Sequence, residues 1–170
     1  MNLNKNIVLI GMMGSGKSTL GYLLSKSIGL KFLDVDKIIE KETGLKIINI
    51  FEKKGETYFR NLEEEITLKL LKNKGKIIAL GGGGFLNKNI RKEVLNNNLS
   101  FYLSWKSPTI IKRIFKSKKR PMTFSLSKND LKNLIIDRSK IYCEAKYKIN
   151  CETLTKNMIV NQIVKLYEKN

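Results

Sequence analysis

The segment that most constrains this chain is Ile7-Val-Leu-Ile10 followed by Gly11-Met-Met-Gly14-Ser15-Gly16-Lys17-Ser18-Thr19. Four consecutive apolar residues read as a strand buried on both faces, the situation of strands in parallel sheets. The run stops at Gly11, and Gly11-x4-Gly16-Lys17-Ser18 matches the phosphate-binding P-loop in full. Glycines at 11, 14 and 16 let the backbone bend so that successive N–H groups converge on an anion. Leu20, Leu23, Leu24 and Ile28 then recur at helical spacing, so a helix starting near Gly16 adds its positive N-terminal end. A glycine-rich turn with an accidental Lys-Ser is the bland alternative, and the strand–loop–helix setting weighs against it. Lys17 would supply a point charge for the β- and γ-phosphates, and the Ser18 hydroxyl would ligand Mg²⁺.

At 170 residues the chain is expected to form one domain. No stretch approaches the roughly 20 apolar residues of a membrane span. The N-terminus runs directly into the first strand, leaving no room for a cleavable signal peptide. Cys143 and Cys151 lack metal-ligand spacing, and a chain that uses ATP is expected in a reducing compartment, so the expected location is the cytoplasm. The formal charge is +18. Its lysines are spread from Lys5 to Lys169 rather than gathered in an arm, which favours a solvated basic surface over nucleic-acid function.

Further along, Leu30–Asp34 reads as a second strand ending in Asp34-Val35-Asp36. Two carboxylates with one residue between them share one side of an extended chain, here at the strand end that faces the ligand crevice of open α/β sheets. Asp36 could instead N-cap a helix over 37–43. Residues 37–75 read as helical with breaks at Gly44, Gly55 and Gly75. A core stripe of Tyr58, Leu62, Ile66 and Leu70 is expected, with Arg60 off the stripe beside Glu63 and Glu64. Taken on spacing alone, that set is an exposed ion pair. A third strand over 76–80 runs into Gly81-Gly82-Gly83-Gly84, whose bare backbone suits close approach of another group. Strands at 99–104 and 147–151 and helices at about 87–97, from Ser107-Pro108, from Ser127 and over 155–168 complete the pattern. The basic stretch 116–125, broken by Pro121, reads as a mobile loop over bound phosphates. Alternating β and α elements around a P-loop predict an α/β fold with a parallel sheet and helices on both faces.

Taken together, Gly11–Thr19, Leu33-Asp34-Val35-Asp36, Phe59-Arg60 with Glu63-Glu64, Leu80-Gly81-Gly82-Gly83, Arg120-Pro121 and Arg138 resemble shikimate kinase, in order and spacing over essentially the whole chain. The resemblance implies a P-loop kinase fold of the nucleoside-monophosphate-kinase type, with a five-stranded parallel sheet. It implies a single kinase domain over 1–170, a substrate-binding region near 35–63 and a lid near 114–126. It further implies transfer of the ATP γ-phosphoryl group to the 3-hydroxyl of shikimate. Gly14, Ser15, Gly16, Lys17, Ser18 and Thr19 would bind ATP, Arg113 would stack on adenine, and Arg120 would close over the γ-phosphate. Ser18 and Asp34 would hold one Mg²⁺. Asp36 would orient or deprotonate the acceptor hydroxyl, and in a chain without histidine a carboxylate is the natural base. Arg60 and Arg138 would grip the substrate carboxylate, with Gly82 and Gly83 against the ring. Lys17, Asp36 and Arg120 are thus the expected catalytic set. ATP and shikimate are the expected partners, with no nucleic acid, no membrane and a monomeric state. One departure is visible: Glu152-Thr-Leu-Thr-Lys156 lacks the proline that several family members place against adenine. Related kinases acting on gluconate or a nucleoside monophosphate are the rivals, and paired Asp34 and Asp36 argue against a non-catalytic nucleic-acid binder.

Overall fold

The structure is a computed structural model and describes residues 5–116 and 127–170. Arg120, Pro121 and most of the expected lid fall outside the described residues.

Five strands, β1 (Ile7–Ile10), β2 (Lys31–Asp34), β3 (Lys76–Ala79), β4 (Leu99–Ser104) and β5 (Tyr147–Asn150), form one sheet in the order β2-β3-β1-β4-β5. All four pairings are parallel. The expected five-stranded α/β architecture is therefore present. Because successive side chains alternate across a strand, β1 feeds two cores at once. Ile7 and Leu9 pack with Leu20, Leu24, Ile159 and Ile163, from α1 (Lys17–Ile28) and α7 (Lys156–Glu168). Val8 and Ile10 pack on the opposite face with Ile39, Phe59, Ile66, Ile90, Ile110 and Leu131. Those residues come from α2 (Val35–Thr43), α3 (Ile47–Lys72), α4 (Lys88–Asn97), α5 (Ser107–Lys116) and α6 (Lys128–Tyr142). All four β1 side chains are at most 1% exposed, which explains the unbroken apolar run. The edge strands carry the polar residues instead, with Lys31, Lys148 and Asn150 exposed.

Asn6, just ahead of β1, is fully buried and joins three segments. Its amide donates to Leu71 O at 3.1 Å and to Asn98 Oδ1 at 2.8 Å, and its Oδ1 accepts from Lys76 N at 3.0 Å. One side chain thus ties the end of α3, the start of β3 and the turn before β4 to the central strand.

Several local expectations shift. Helix α2 begins at Val35 and its N-cap is Asp34, which accepts from Lys37 N at 3.4 Å. Asp36 is therefore in the first helical turn and is not the cap. The two carboxylates leave the sheet through a strand-to-helix corner, not along an extended chain. In α3 the buried face is Phe59, Glu63, Ile66, Thr67 and Leu71, while Tyr58 is 46% exposed. Phe59 wins the inward position by stacking on Phe51 at 4.6 Å between ring centroids. Gly55, at φ 82° and ψ 170°, kinks α3 in a region only glycine adopts freely, so the break expected there is real. The fourth glycine of the 81–84 run begins a short 3₁₀ turn, Gly84–Leu86, before Asn87 caps α4 by accepting from Asn89 N and Ile90 N. Cys143 and Cys151 are free thiols, one exposed and one buried.

Candidate active site

Strand β1 lies between β3 and β4, so the loops after β1 and β3 emerge side by side at the carboxyl end of the sheet, where open α/β sheets hold ligands. Leu80 N donates to Leu9 O at 3.2 Å, and Gly82 approaches Met13 so closely that an added Cβ would stand 3.4 Å from its backbone nitrogen. The glycine run therefore lies along the wall of the P-loop.

In the P-loop, Gly11, Gly14 and Gly16 have φ of 150°, 80° and 93°, which is why these positions are glycine. Gly16 is the left-handed N-cap of α1, so Lys17, Ser18 and Thr19 occupy its first turn. Lys17 Nζ donates to Gly11 O at 2.7 Å and Met12 O at 3.0 Å, which folds the ammonium back over the loop. Ser18 Oγ donates to Asp34 Oδ2 at 2.5 Å. Two hard oxygen donors thus meet at the α1 N-terminus. Among the described residues there is no cluster of three or more His, Cys, Asp or Glu side chains placed to hold a metal. The Ser18–Asp34 pair suits Mg²⁺, an ion usually held by one or two protein oxygens with phosphate and water completing the shell.

The second half of the site centres on the glycines. A Cβ on Gly81 would stand 2.7 Å from Asp36 Oδ1 and closer still to Glu63 Oε1. A Cβ on Gly83 would meet Arg60 Nη1 at 2.5 Å. Arg138 Nη1 donates to Gly82 O at 3.3 Å, and the Tyr142 hydroxyl donates to the same carbonyl. Asp36 and Arg60, from α2 and α3, and Arg138, from α6, are thus assembled around Gly81–Gly83. The close approach expected of the glycine run is explained by the side chains of Asp36, Arg60, Glu63, Arg138 and Tyr142.

The sequence marks Glu63 only as an exposed ion-pair partner of Arg60, and it does not mark Tyr142 at all. Glu63 is 2% exposed and accepts from Arg60 Nη1 at 2.7 Å through Oε2. Its Oε1 has no hydrogen-bond partner among the described residues and faces Gly81 and Asp36. Burial pushes the Glu63 carboxyl above the ordinary carboxylate range, with Arg60 opposing and Asp36 adding to the rise. Arg60 is also buried, which disfavours its charge, but Glu63 and then Glu56 outweigh that and raise its pKa. Glu63 rises despite its cationic partner because it lies far deeper, at 3% side-chain exposure against 31% for Arg60. The Arg60 pair is thus no surface ion pair on its Glu63 side. Glu64, expected to share Arg60, instead accepts from Asn87 and Asn89 at 2.6 Å each. The signal for Glu63 was its i+4 spacing from Phe59, hidden once Tyr58 was assigned to the core. Tyr142, pushed up to about 12 by burial, stays a neutral donor to Gly82 O at any ordinary pH.

Arg113, on α5, reaches back to the P-loop, donating from Nη1 to Gly14 O at 3.3 Å. Trp105 covers its guanidinium, with the Arg113 Cζ 3.7 Å from the ring centroid. In place of the missing proline, Glu152 accepts from Lys106 N at 3.0 Å and from Thr109 Oγ1 at 2.6 Å. These two bonds hold its pKa below the ordinary range.

Comparison with known proteins bears on the family and the fold. The shikimate kinase family model matches residues 13–168. A shikimate kinase of Persephonella marina is 39% identical over 161 residues, covering 94% of this chain and 97% of that protein. The solved shikimate kinase of Acinetobacter baumannii in complex with shikimate superposes with a TM-score of 0.90 at 31% identity, covering 98% of this chain and 94% of that one. A deoxyadenosine kinase of M. mycoides, at 21% identity and TM-score 0.63, shares the fold alone.

Proposed function

The chain belongs to the shikimate kinase family, and we propose that it transfers the γ-phosphoryl group of ATP to the 3-hydroxyl of shikimate. The single observation that carries this reading is the set of Asp36, Arg60 and Arg138 gathered around Gly81–Gly83 beside a complete P-loop. A hydroxylated carboxylate fits that set. Two guanidinium forks suit the carboxylate, and a carboxylate base suits the alcohol.

ATP binds with its phosphates over the Gly14–Thr19 amides and the α1 N-terminus, with Lys17 swinging from its carbonyl contacts to the β- and γ-phosphates. Arg113 stacks on adenine with the guanidinium face that Trp105 leaves uncovered. Ser18 and Asp34 would hold one Mg²⁺, which would neutralise phosphate charge as the γ-phosphoryl group is transferred. Asp36 accepts a hydrogen bond from the acceptor hydroxyl and takes its proton as that oxygen bonds to the γ-phosphorus. The bond from γ-phosphorus to the bridging oxygen breaks, and ADP leaves with the electron pair. Lys17 and Arg120 stabilise the charge spread over the transferring group, which is the main task in a loose transition state. Arg60 and Arg138 fix the substrate carboxylate, and Gly82 and Gly83 admit the ring. One kinase domain over 1–170, with 35–63 on the acceptor side and a lid over 114–126, acts as a monomer in the cytoplasm. No described helix is long and apolar enough to cross a membrane.

The test is ADP release from ATP and Mg²⁺ with shikimate, gluconate or AMP as acceptor. Turnover on shikimate alone is expected. Folded protein that ignores shikimate and phosphorylates another acceptor would overturn the assignment.

A further inference from the structure

Trp105, the single tryptophan of the chain, lies just beyond the end of β4 and packs partly buried against both cores. Its indole Nε1 donates to Ser15 O at 3.0 Å. Its ring lies under Arg113, which in turn donates to Gly14 O. Two neighbouring P-loop carbonyls are thus held from behind by one stacked pair. In a planar trans peptide the C=O and the N–H point in opposite directions. The bond that Trp105 makes to Ser15 O therefore sets the direction of the Gly16 N–H, on the opposite side of that peptide. The Gly14–Ser15 peptide is held at both ends, by Arg113 donating to Gly14 O and by Ser15 N donating to Met12 O at 3.1 Å, which braces the loop next to Gly16.

This control is needed because Gly14 and Gly16 are the two most pliable residues of the loop, both at positive φ. Left alone, they could rotate the peptides between them and turn a donor away from phosphate. The anchor is also firm. β4 is a central strand, and Lys106, the next residue after Trp105, is bonded through its N–H to Glu152.

We propose that Trp105 is a positioning residue for the nucleotide: it holds Arg113 flat and fixes the Gly14–Gly16 backbone with the Gly16 amide turned toward the phosphates. The proposal rests on the reading of Gly14–Thr19 and Arg113 as the ATP site. It predicts a nucleotide defect without a matching acceptor defect. It also makes the indole a reporter, since a nucleotide that changes the Arg113 stack must change the emission of the lone tryptophan.

The experiment uses the full chain in two parts. Mg·ADP and shikimate are titrated separately while tryptophan emission is recorded, and a change is expected with Mg·ADP and not with shikimate. Calorimetry then gives the ADP Kd for wild type, Trp105→Phe, which keeps an aromatic face but has no N–H, and Trp105→Leu, which has neither. Kd is expected to rise roughly threefold for Trp105→Phe and about tenfold for Trp105→Leu, in line with losing a hydrogen bond and then a cation–π contact as well. In turnover, the KM for ATP should rise in the same order while the KM for shikimate stays within about twofold. Equal ADP affinity in wild type and Trp105→Leu would overturn the proposal. So would parallel losses for both substrates, the mark of a structural role. Because ADP binding is read without an acceptor, failure on shikimate would overturn the assigned reaction and leave this result standing.

Discussion

Asp36 and Glu63 are two carboxylates facing the same glycine, and their surroundings give them different work. Asp36 lies half-buried in the first turn of α2, on the side of the cleft proposed for the acceptor. Asp36→Asn keeps the shape but cannot take a proton. Its kcat should fall by about a hundredfold or more, the range for losing a general base, with ADP affinity unchanged by calorimetry. A normal rate would remove Asp36 from the chemistry. Glu63 lies behind, clamped to Arg60. Because the folded state holds the Glu63 proton more tightly than the unfolded chain, the stability this group contributes is fully present below the unfolded carboxyl pKa. It is lost as pH rises through the raised folded value. Glu63→Gln has no such proton. The stability difference between wild type and Glu63→Gln should therefore shift in favour of the variant as urea melts move from about pH 4 to pH 7. The variant should also raise the KM for shikimate roughly fivefold, because Arg60 loses a charge-assisted partner. A pH-independent difference would mean that Glu63 is not the buried acid described.

At the scale of elements, the site depends on corners more than on helices or strands. β1 ends in the P-loop, β2 in Asp34, and β3 in the glycine run, and all three corners open at one end of the sheet. The opposite end is held by Asn6. Asn6→Ala would leave the Asn98 side chain, Lys76 N–H and Leu71 O without their buried partner, together with a small cavity. A loss of about 2–4 kcal/mol is expected, several such groups being orphaned at once. It should be read from the urea midpoint with an unchanged m-value. A loss below roughly 1 kcal/mol would show that the three segments are joined without it.

Across the whole molecule the +18 charge is unevenly distributed. Nine of the 15 acidic residues fall within 30–65, a span that contains the proposed acceptor region 35–63, against seven of the 33 basic ones. The rest of the chain, P-loop included, therefore carries a net +20, more than the whole excess. A basic surface attracts a polyanion more than a monoanion, and added salt screens it. Raising KCl from about 20 to 200 mM should raise the KM for ATP several-fold and that for shikimate less, since the Debye length shortens about threefold. Equal shifts, measured by initial rates at fixed free Mg²⁺, would show that the charge does not steer nucleotide.

What could be read directly from residue order was whatever depends on neighbours in the chain. The apolar run of β1, the glycine spacing after it and the alternation of strands and helices each encode a local conformation, and together they imply the sheet and its phosphate loop. The resemblance pointed to Asp36, Arg60 and Arg138, which the fold gathers around Gly81–Gly83. Packing between distant segments decided the rest. Which of Tyr58 and Phe59 turned inward depended on Phe51, and that choice buried Glu63. Trp105 gained its place only when β4 came to lie beside β1 and brought the indole under the P-loop. Spacing along a chain sets which residues share a face. The partner on the other side of that face belongs to another segment, and only the folded chain brings it there.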